Sequence, residues 1–462
     1  MTRPTEQHPA SFRDPSGFIF VRDGELLRQI NEAYRDDFEL LSSSGLLEKL
    51  WSQGLMVKSE EADLGLAAAP SAIAILKPER LPFISHPYEW SFGMLKEAAL
   101  LTLKIQSLAL DHGMSLKDAS AYNIQFHQGR PLFIDTLSFE KHEKSAPWVA
   151  YGQFCRHFLA PLALMAHVDV RLQSLLGDHL DGIPLNLASH LLPGKTKFNA
   201  GLMMHLHMHA KAESSGKGSG QGGDSKAGFS EAAMRGLIAS LEKAVSGLEW
   251  KPAGTEWADY YNDTNYTDAA AKHKHEVLKA WITEASAACA TCWDLGANDG
   301  RYSRIAAEAG LWTLAADIDP AAVEQAWLYI RKSGMPGLHP LLLDLRNPSP
   351  SRGWMNQERS GLIERGPSDL VLALALIHHL AIGNNVPLPS VLDLFSRLGR
   401  EVIVEWVPKE DSQIQRMMRA RKDIFAGYTQ SAFEAALPDG MRIRQMEPIK
   451  ESGRVLYWLA RA

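Results

Sequence analysis

Acidic residues and glycines occur together in one short stretch of the sequence, DLGANDGRYS, from Asp294 to Ser303. An apolar run precedes it and a helical pattern follows it, which predicts a turn between a strand and a helix. Gly296 and Gly300 allow positive φ angles in that turn and let a ligand approach the backbone. Their G-x-x-x-G spacing differs from the G-x-G-x-x-G of dinucleotide-binding turns. The aspartates of the turn would also repel a pyrophosphate, so a ligand without phosphates is favoured.

Two further aspartates end the next two predicted strands. The run LWTLAAD ends at Asp317, and the run HPLLLD ends at Asp344. A carboxylate after the second strand of such a sheet can accept hydrogen bonds from the hydroxyls of a ribose. A carboxylate after the third strand could accept a hydrogen bond from the amino group of an adenine. Together with Asp294, these residues predict a site for an adenosine ligand.

The elements that must position these acids alternate between strands and helices. Strands are predicted at 292–295, 312–317, 340–344, 369–375 and 401–406, and helices at 302–308, 321–332 and 388–398. Alternation of this kind favours an α/β fold with a doubly wound parallel sheet. Ligands bind at the carboxyl ends of the strands in such sheets, where the acids are found.

The motifs DLGANDGRYS, AADIDPAAV, LLLD and DLVLALALIHHL resemble, in this order, those of the class I S-adenosylmethionine-dependent methyltransferases. The resemblance covers residues 250–462 and implies a seven-stranded, Rossmann-like domain that binds S-adenosylmethionine and transfers its methyl group. It also implies roles for single residues. The methionine end of the cofactor would be held by Asp294, Gly296, Asn298 and Gly300. The ribose would be held by Asp317 with its neighbour Asp319, and the adenine by Asp344.

The segment before the first of these strands is rich in aromatic residues, namely Trp257, Tyr260, Tyr261 and Tyr266, and is followed by Lys272. Related methyltransferases cover the cofactor with a preceding helix, so Tyr266 and Lys272 are candidates for cofactor contact. The alternative is a helix that only packs against the sheet.

His378 and His379 follow the fourth predicted strand, where class I methyltransferases usually meet the acceptor. One of the two could be a general base that deprotonates the acceptor. The alternative is a pair of structural histidines at the start of a helix. Glu405, Lys409 and Asp411 follow the fifth strand and either contact the substrate or are simply solvated.

In the first half of the chain, Asp118 is followed by Asn123 and then by Asp135. Protein kinases space a catalytic Asp, an Asn and a metal-binding Asp in this way. The stretch NIQFHQGRPLFID between them is predicted to be a hairpin, as in kinases, so residues 1–210 resemble an α+β protein-kinase-like fold. Arg28 stands where kinases carry a lysine, and Glu32 could be its acidic partner.

The departures from the kinase pattern are as informative as the matches. LKD replaces HRD, DTL replaces DFG, and no glycine-rich phosphate loop is present. A degenerate nucleotide site is therefore favoured over a working site for ATP and Mg²⁺. A chance arrangement of Asp and Asn residues in turns is the remaining alternative.

Composition limits the partners. The 462 residues carry a net charge of −6 without a basic block, which argues against a dedicated nucleic-acid binder. We expect a cytoplasmic protein, since no apolar run could span a bilayer and no signal peptide is evident. The sequence predicts no resident metal, and it leaves the oligomeric state open.

A Gly/Ser-rich stretch, AESSGKGSGQGGDSKAG at 212–228, is predicted to be flexible. It divides the chain into a kinase-like domain (1–210), a linker with a helix (211–249) and a methyltransferase domain (250–462). The whole chain resembles a bacterial family of nodulation-protein-related methyltransferases, which implies methyl transfer to an unidentified acceptor, either a saccharide or another small molecule. The kinase-like domain would bind this acceptor or regulate the reaction. A bifunctional kinase-methyltransferase and a non-catalytic two-domain scaffold are the alternatives.

Overall fold

The computed structural model describes residues 6–215, 230–252, 266–419 and 422–461. The chain forms two compact units: residues 1–250 with 351–359 make up the first, and residues 251–350 with 360–462 make up the second. The short segment 351–359 thus belongs to the first unit, although it lies in the second half of the sequence. Of the predicted linker, residues up to Ser214 are helical, and residues 216–229 lie outside the described residues.

The first unit begins with a five-stranded antiparallel sheet in the order β1-β2-β3-β5-β4. Strands β2 and β3 form a tight hairpin, and its Asp23–Gly24 turn has the two positive φ angles that such hairpins require. Two helices follow the hairpin, and they are separated at Gly45, whose φ of +78° lies outside the helical region. The elements are β1 (Glu6–Gln7), β2 (Gly17–Arg22), β3 (Glu25–Asn31), α1 (Arg35–Ser43), α2 (Leu46–Ser52), β4 (Ser59–Ala62) and β5 (Ala72–Pro78).

A long buried helix, α3 (Phe92–Asp111), leads from this sheet to the Asp118 region. The side chain of Gln106 on this helix is buried. Its carbonyl oxygen accepts a hydrogen bond from the backbone N–H of Leu116 (2.7 Å), and its amide nitrogen donates to Ser115 Oγ (3.0 Å). The helix therefore holds the strand that precedes Asp118. The elements that follow are β6 (Met114–Leu116), the predicted hairpin of β7 (Ile124–His127) and β8 (Arg130–Phe133), and β9 (Phe139–Lys141), which pairs with β6.

The rest of the first unit is helical. Its helices are α4 (Tyr151–Phe154), α5 (Ala160–His167), α6 (Leu175–Asp178), α7 (Leu185–Leu191), α8 (Ala200–Leu202), α9 (His209–Ser214) and α10 (Glu231–Ser246), with π-helical turns at Cys155–Leu159 and Met203–Met208. Helix α10 is held to α3 by an ion pair between Arg235 and Asp111 (2.8 Å) and by hydrogen bonds from Lys96 to the carbonyls of Ser246 and Leu248. The helix after the predicted linker thus belongs to the first unit.

The second unit is built around a seven-stranded sheet in the order β12-β11-β10-β13-β14-β16-β15. Its elements are α11 (Asp268–Ala285), β10 (Thr291–Leu295), α12 (Arg301–Glu308), β11 (Trp312–Asp317), α13 (Pro320–Ser333), β12 (Leu338–Leu342), α14 (Leu362–Arg365), β13 (Ser368–Ala373), α15 (Leu388–Leu398), β14 (Gly399–Trp406), α16 (Ser412–Met418), α17 (Gln430–Ala435), β15 (Met441–Pro448) and β16 (Val455–Arg461).

Five of these strands run parallel, and β16 inserts antiparallel between β14 and β15. The parallel strands are nearly continuous runs of buried apolar residues, as expected where helices cover both faces of a sheet. The expectation of a doubly wound α/β sheet is confirmed. The third strand ends at Leu342, two residues before Asp344. Among the described residues, no helix combines the length and the apolar character needed to cross a bilayer.

Replacing Gln106 by leucine is expected to lower the free energy of unfolding by about 1–3 kcal/mol, because the buried N–H of Leu116 then lacks an acceptor. Urea unfolding followed by circular dichroism measures the change. Lys104→Leu, an exposed position on the same helix, is the matched control and should change it by less than about 0.5 kcal/mol. Equal effects of the two substitutions would contradict the role assigned to Gln106.

Candidate functional site

The turn after β10 has the backbone that its glycines predict. Gly296 and Gly300 have φ angles of +74° and +80°, and Gly300 is the N-cap residue that precedes α12. Asn298 also has a positive φ (+50°), a conformation that Asn tolerates better than most side chains. Asp294, one residue before the end of β10, is buried and accepts a hydrogen bond from Ser303 Oγ at 2.6 Å. The turn is therefore a closely held loop between a strand and a helix.

Asp317, at the end of β11, helps to form this turn. Its carboxylate accepts hydrogen bonds from the backbone N–H of Asn298 (2.7 Å) and of Asp319 (2.9 Å). Asp319 in turn caps helix α13, since its carboxylate accepts from the N–H groups of Ala321 and Ala322. The structure therefore gives Asp319 a capping role and places Asp317 directly against the turn.

Asp344 stands two residues after β12 and is only partly buried. Arg346 binds its two carboxylate oxygens with Nε and Nη2 at 2.8 and 2.9 Å. Burial alone would raise the pKa of Asp344, but the hydrogen bonds from Arg346 outweigh it and hold the pKa below its usual value. This carboxylate is therefore charged at neutral pH.

The two deeper carboxyl groups titrate close to neutrality. Burial raises the pKa of Asp294 to about 7, with Ser303 opposing the shift and the charge of Asp317 adding to it. Burial also raises the pKa of Asp317 to about 6, against the hydrogen bonds from the backbone of Asp319 and Asn298. A ligand that carries a positive charge or donates hydrogen bonds would stabilise the ionised forms of both groups. These residues thus fit an adenosyl ligand with a cationic amino acid end.

A cavity lies beside the turn. Asp294, Gly296 and Asn298 form one wall of it, and Tyr266 and Lys274 form another. Asp317 and Asp344 lie outside its lining. The cavity is thus lined by three of the four residues for which the sequence predicts contact with the methionine part of the cofactor.

Lys272, predicted to contact the cofactor, does not line this cavity. Its side chain is 79% exposed, and its ammonium lies 3.9 Å from Glu276 at the surface. Residues two apart on a helix point in nearly opposite directions, so Lys274 faces the cavity and Lys272 faces solvent. The prediction is corrected from Lys272 to Lys274. The predicted aromatic residues Trp257, Tyr260 and Tyr261 lie outside the described residues.

A buried cluster of charges adjoins the cavity wall. Lys274 Nζ lies 2.6 Å from Glu405 Oε2, and Arg454 binds both Glu405 (3.3 Å) and Asp411 (2.8 Å). The Tyr266 hydroxyl donates to Glu405 and accepts from Arg454 at 2.8 Å. Glu405 is fully buried, so the expectation that it contacts the substrate or solvent is replaced by a role as the centre of this cluster.

Lys274 and Arg454 were not predicted from the sequence. Lys274 nevertheless has a local signal, because it occupies one position of the buried stripe Ala270–Lys274–Leu278–Ile282 on α11. A lysine at four-residue spacing among apolar side chains indicates a buried ammonium that needs a partner. No comparable signal marks Arg454, which lies in the connection between β15 and β16.

The two histidines lie after β13, and neither lines the cavity beside the turn. Their rings are 4.2 Å apart. Burial holds the pKa of His378 well below its usual value, and it lowers the pKa of His379 to about 4, with Arg454 contributing to both shifts. Both imidazoles are therefore neutral at pH 7. His378 is the more deeply buried of the two, whereas His379 keeps some exposed surface.

The kinase-like residues of the first unit also come together. Arg28 Nη1 lies 2.6 Å from Asp135 Oδ1, and Ser138 Oγ donates to Asp135 Oδ2 at 2.5 Å and accepts from Asn123 Nδ2 at 3.0 Å. Asp118 accepts hydrogen bonds from Ser120 and Gln153, and burial, with the nearby charge of Asp135, raises its pKa.

Glu32 is not the partner of Arg28. It is exposed and pairs with Arg35, three residues along the chain (2.7 Å), whereas Arg28 turns to the buried side of β3 and binds Asp135. The resemblance of this unit to kinases stays a prediction.

Over 459 residues, the chain is 36% identical to the nodulation protein NoeA of Rhizobium meliloti, with 98% of this chain and 95% of the relative covered. The chain belongs to the NoeA family. No protein-family model matches it.

Solved structures similar to this chain include three methyltransferases. One is the magnesium protoporphyrin IX methyltransferase ChlM from Synechocystis PCC 6803 with bound S-adenosylhomocysteine, with a TM-score of 0.32 and 17% identity over 45% of this chain and 92% of that chain. The second is the bifunctional kinase-methyltransferase WbdD, with a TM-score of 0.31 and 15% identity over 47% of this chain and 45% of that chain. The third is an S-adenosylmethionine-dependent methyltransferase from Aquifex aeolicus, with a TM-score of 0.30 and 14% identity over 46% of this chain and 98% of that chain. All three scores are below 0.5, so the class of the second unit rests on its own strand order and turn.

The strand order of the second unit, with one antiparallel strand inserted next to last, is that of the class I methyltransferase fold. The acid-and-glycine turn follows the first strand of this sheet, and Asp317 ends the second. The second unit is a class I S-adenosylmethionine-dependent methyltransferase domain, as expected from the sequence.

The affinity for S-adenosylhomocysteine is expected to rise about tenfold between pH 6 and pH 8, because bound ligand favours the ionised form of a carboxyl group whose pKa is about 7. Protons are released on binding, so affinity increases as pH increases. Calorimetry in buffers of different ionisation enthalpy measures both quantities.

Asp344→Asn is the control for this pH dependence. It should weaken binding without changing the pH profile, since the pKa of Asp344 is lowered rather than raised. An affinity that stays constant across this range would contradict the titration assigned to Asp294 and Asp317.

Proposed function

We propose that the protein transfers the methyl group of S-adenosylmethionine to a small-molecule acceptor of the saccharide type, and that the first unit binds or presents this acceptor. The observation that carries the proposal is the pair of buried carboxyl groups, Asp294 and Asp317, at the carboxyl ends of adjacent parallel strands. The cofactor supplies an electrophilic methyl group on a positively charged sulfur. The protein's own groups bind, orient and exclude water.

The cofactor end of the site is assigned as follows. The carboxylate of Asp317 accepts the ribose hydroxyls, Asp344 contacts the adenine, and Asp294 faces the cationic end of the methionine part. The ammonium of Lys274 lines the same cavity, but it is paired with Glu405 at 2.6 Å. The charge that we assign to the amino acid end of the ligand is therefore that of Asp294.

The acceptor end is proposed to involve His379. Its low pKa keeps the imidazole neutral at pH 7, the form in which a ring nitrogen accepts a hydrogen bond and can orient an acceptor hydroxyl. His378 is more buried and is assigned to packing. The saccharide type of the acceptor is proposed because the NoeA relative is a nodulation protein. We place the reaction in the cytoplasm, where S-adenosylmethionine is made.

Asp317→Asn is expected to weaken S-adenosylhomocysteine binding by about 10- to 100-fold, the range for losing hydrogen bonds to a charged group. Calorimetry on the full chain measures this affinity, with the exposed Asp393→Asn as the matched control.

Incubation of the full chain with labelled methyl donor and cell extract then identifies the acceptor by its label. His379→Asn should lower turnover while leaving cofactor affinity unchanged. Absence of cofactor binding, or unchanged binding in Asp317→Asn, would refute the proposal.

A bifunctional kinase-methyltransferase is the second candidate, favoured by the approach of Asp118, Asn123 and Asp135 to one another. Against a working kinase, both carboxylate oxygens of Asp135 already accept from Arg28 and Ser138. A metal would have to displace these contacts, so we favour a degenerate site.

ATP with Mg²⁺ is therefore expected to leave the melting temperature of the full chain unchanged, while S-adenosylhomocysteine raises it as a positive control. The measurement is differential scanning fluorimetry. A rise with ATP–Mg²⁺ that Asp135→Ala abolishes would instead establish the bifunctional enzyme.

A further inference from the structure

Segment 351–359 brings two arginines to the loop that carries Asp118 and Asn123. The Arg359 guanidinium lies 4.1 Å from the ring centre of Tyr122, which is part of the turn Ala121–Asn123. The Arg352 guanidinium lies 5.5 Å from the ring centre of Tyr88. Both arginines, both tyrosines and the loop belong to the first unit.

The two arginines are held next to each other by the backbone. Arg352 and Arg359 pair across a tight antiparallel bridge, each N–H donating to the other's carbonyl at 2.9 and 3.0 Å. Glu358, between them in sequence, is buried and is bound by both Nε and Nη2 of Arg13 (3.0 and 2.9 Å). Like charges directly opposite each other destabilise a strand pair unless an opposite charge compensates them.

Four polar atoms around this pair are enclosed and have no hydrogen-bond partner within the described part of the chain. They are Tyr122 Oη, His157 Nδ1, Arg352 Nε and Arg359 Nε. His157 is 2% exposed, and its ring packs edge-on against that of Tyr122 at 6.2 Å between centres. A buried polar atom without a partner costs about 1–3 kcal/mol, so four of them in one place indicate a ligand or ordered water.

The chemistry of these atoms favours an anion. Burial, with the charges of Arg156 and Arg359 adding to it, lowers the pKa of His157 to about 3, so its imidazole is neutral. Burial raises the pKa of Tyr122, so its hydroxyl keeps its proton. The guanidinium groups supply two N–H donors of fixed direction. Of the nearby carboxylates, Glu358 is bound by Arg13 and lies 3.7 Å from Nη2 of Arg359, and Asp178 lies 3.1 Å from Nη1 of Arg352. Among the described residues, the Nε–H groups of the two arginines are the donors left without an acceptor.

We propose that Tyr122, His157, Arg352 and Arg359 form a binding site for a tetrahedral oxyanion of the phosphate type. These side chains belong to the Ala121–Asn123 turn, to the π-helical turn Cys155–Leu159 and to the segment 351–359. The anion arrives as free phosphate or as the phosphate group of a sugar phosphate. This proposal does not depend on methyl transfer, since the site contains none of the residues assigned to the cofactor.

The test uses the full chain without methyl donor. Calorimetry and thermal melting are carried out with inorganic phosphate, a hexose phosphate and the corresponding neutral hexose, at constant ionic strength set with chloride. Phosphate is expected to bind and to raise the melting temperature, and the neutral hexose to do neither. Tighter binding of the hexose phosphate identifies a sugar phosphate as the ligand, and equal binding identifies the free ion.

Arg359→Gln is expected to weaken phosphate binding at least about tenfold, the loss of one charge-assisted hydrogen bond. Arg171→Gln, an exposed arginine paired with Asp169, is the matched control and should bind as the unmodified chain does. Tyr122→Phe keeps the ring and removes only the hydroxyl. It should weaken binding and leave the ligand-free melting temperature unchanged or higher, because an unpaired group is removed.

The proposal is overturned if the unmodified chain binds phosphate no better than chloride. It is also overturned if Arg359→Gln and Tyr122→Phe bind phosphate as tightly as the Arg171→Gln control. A lower melting temperature of Tyr122→Phe without any phosphate binding would show that ordered water satisfies these atoms, and would equally overturn it.

Discussion

The parallel pairing of β10 with β11 and β13 is the constraint on which the methyltransferase site depends. Parallel strands must be joined by crossovers, so their carboxyl ends meet at one edge of the sheet. Acids that are 23 residues apart in sequence, at 294 and 317, thereby come together. The hydrogen bond from the backbone of Asn298 to Asp317 is the direct sign of this convergence, because it joins one strand end to the turn of the next.

Burial gives these acids their chemistry. In water both carboxyl groups would be ionised well below neutral pH, whereas in the sheet they titrate close to it. The cost of burying charge is met differently in the neighbouring cluster, where Lys274 and Arg454 neutralise Glu405 and Asp411. One part of the site is thus internally balanced, and the other is left for a ligand to balance. By this contrast, the charges around Glu405 form a structural ion cluster, whereas Asp294 and Asp317 belong to a binding site.

The first unit also contains both a carboxylate whose partners are protein groups and buried polar atoms without a partner among the described residues. Asp135 is balanced by Arg28 and Ser138, so the residues expected to bind a metal are engaged by the protein itself. Buried polar atoms without a hydrogen-bond partner are found instead at Tyr122 and His157. A segment from the second half of the chain supplies both of the arginines at that place. Within the described residues, these buried polar atoms without a partner therefore lie where the two halves of the sequence contribute to one fold.

Much of the second unit could be predicted from the sequence, because periodicity and glycine placement are local properties. The runs ending at Asp317 and Trp406, the helix at 388–398 and the positive φ of Gly296 and Gly300 all follow from neighbouring residues. The order of acids along the chain was also enough to indicate an adenosyl ligand, since topology places successive strand ends at one edge.

Tertiary structure decided the rest, because it depends on contacts between residues distant in sequence. The choice of Lys274 over Lys272 required knowing which face of α11 meets the sheet, and the partner of Glu405 lies on another element 131 residues away. The membership of segment 351–359 in the first unit has no local signal, since it rests on contacts with residues far away in sequence, among them Arg13, Tyr122 and Asp178. Local patterns thus determined the elements and their order, and long-range burial determined which charges are paired and which await a ligand.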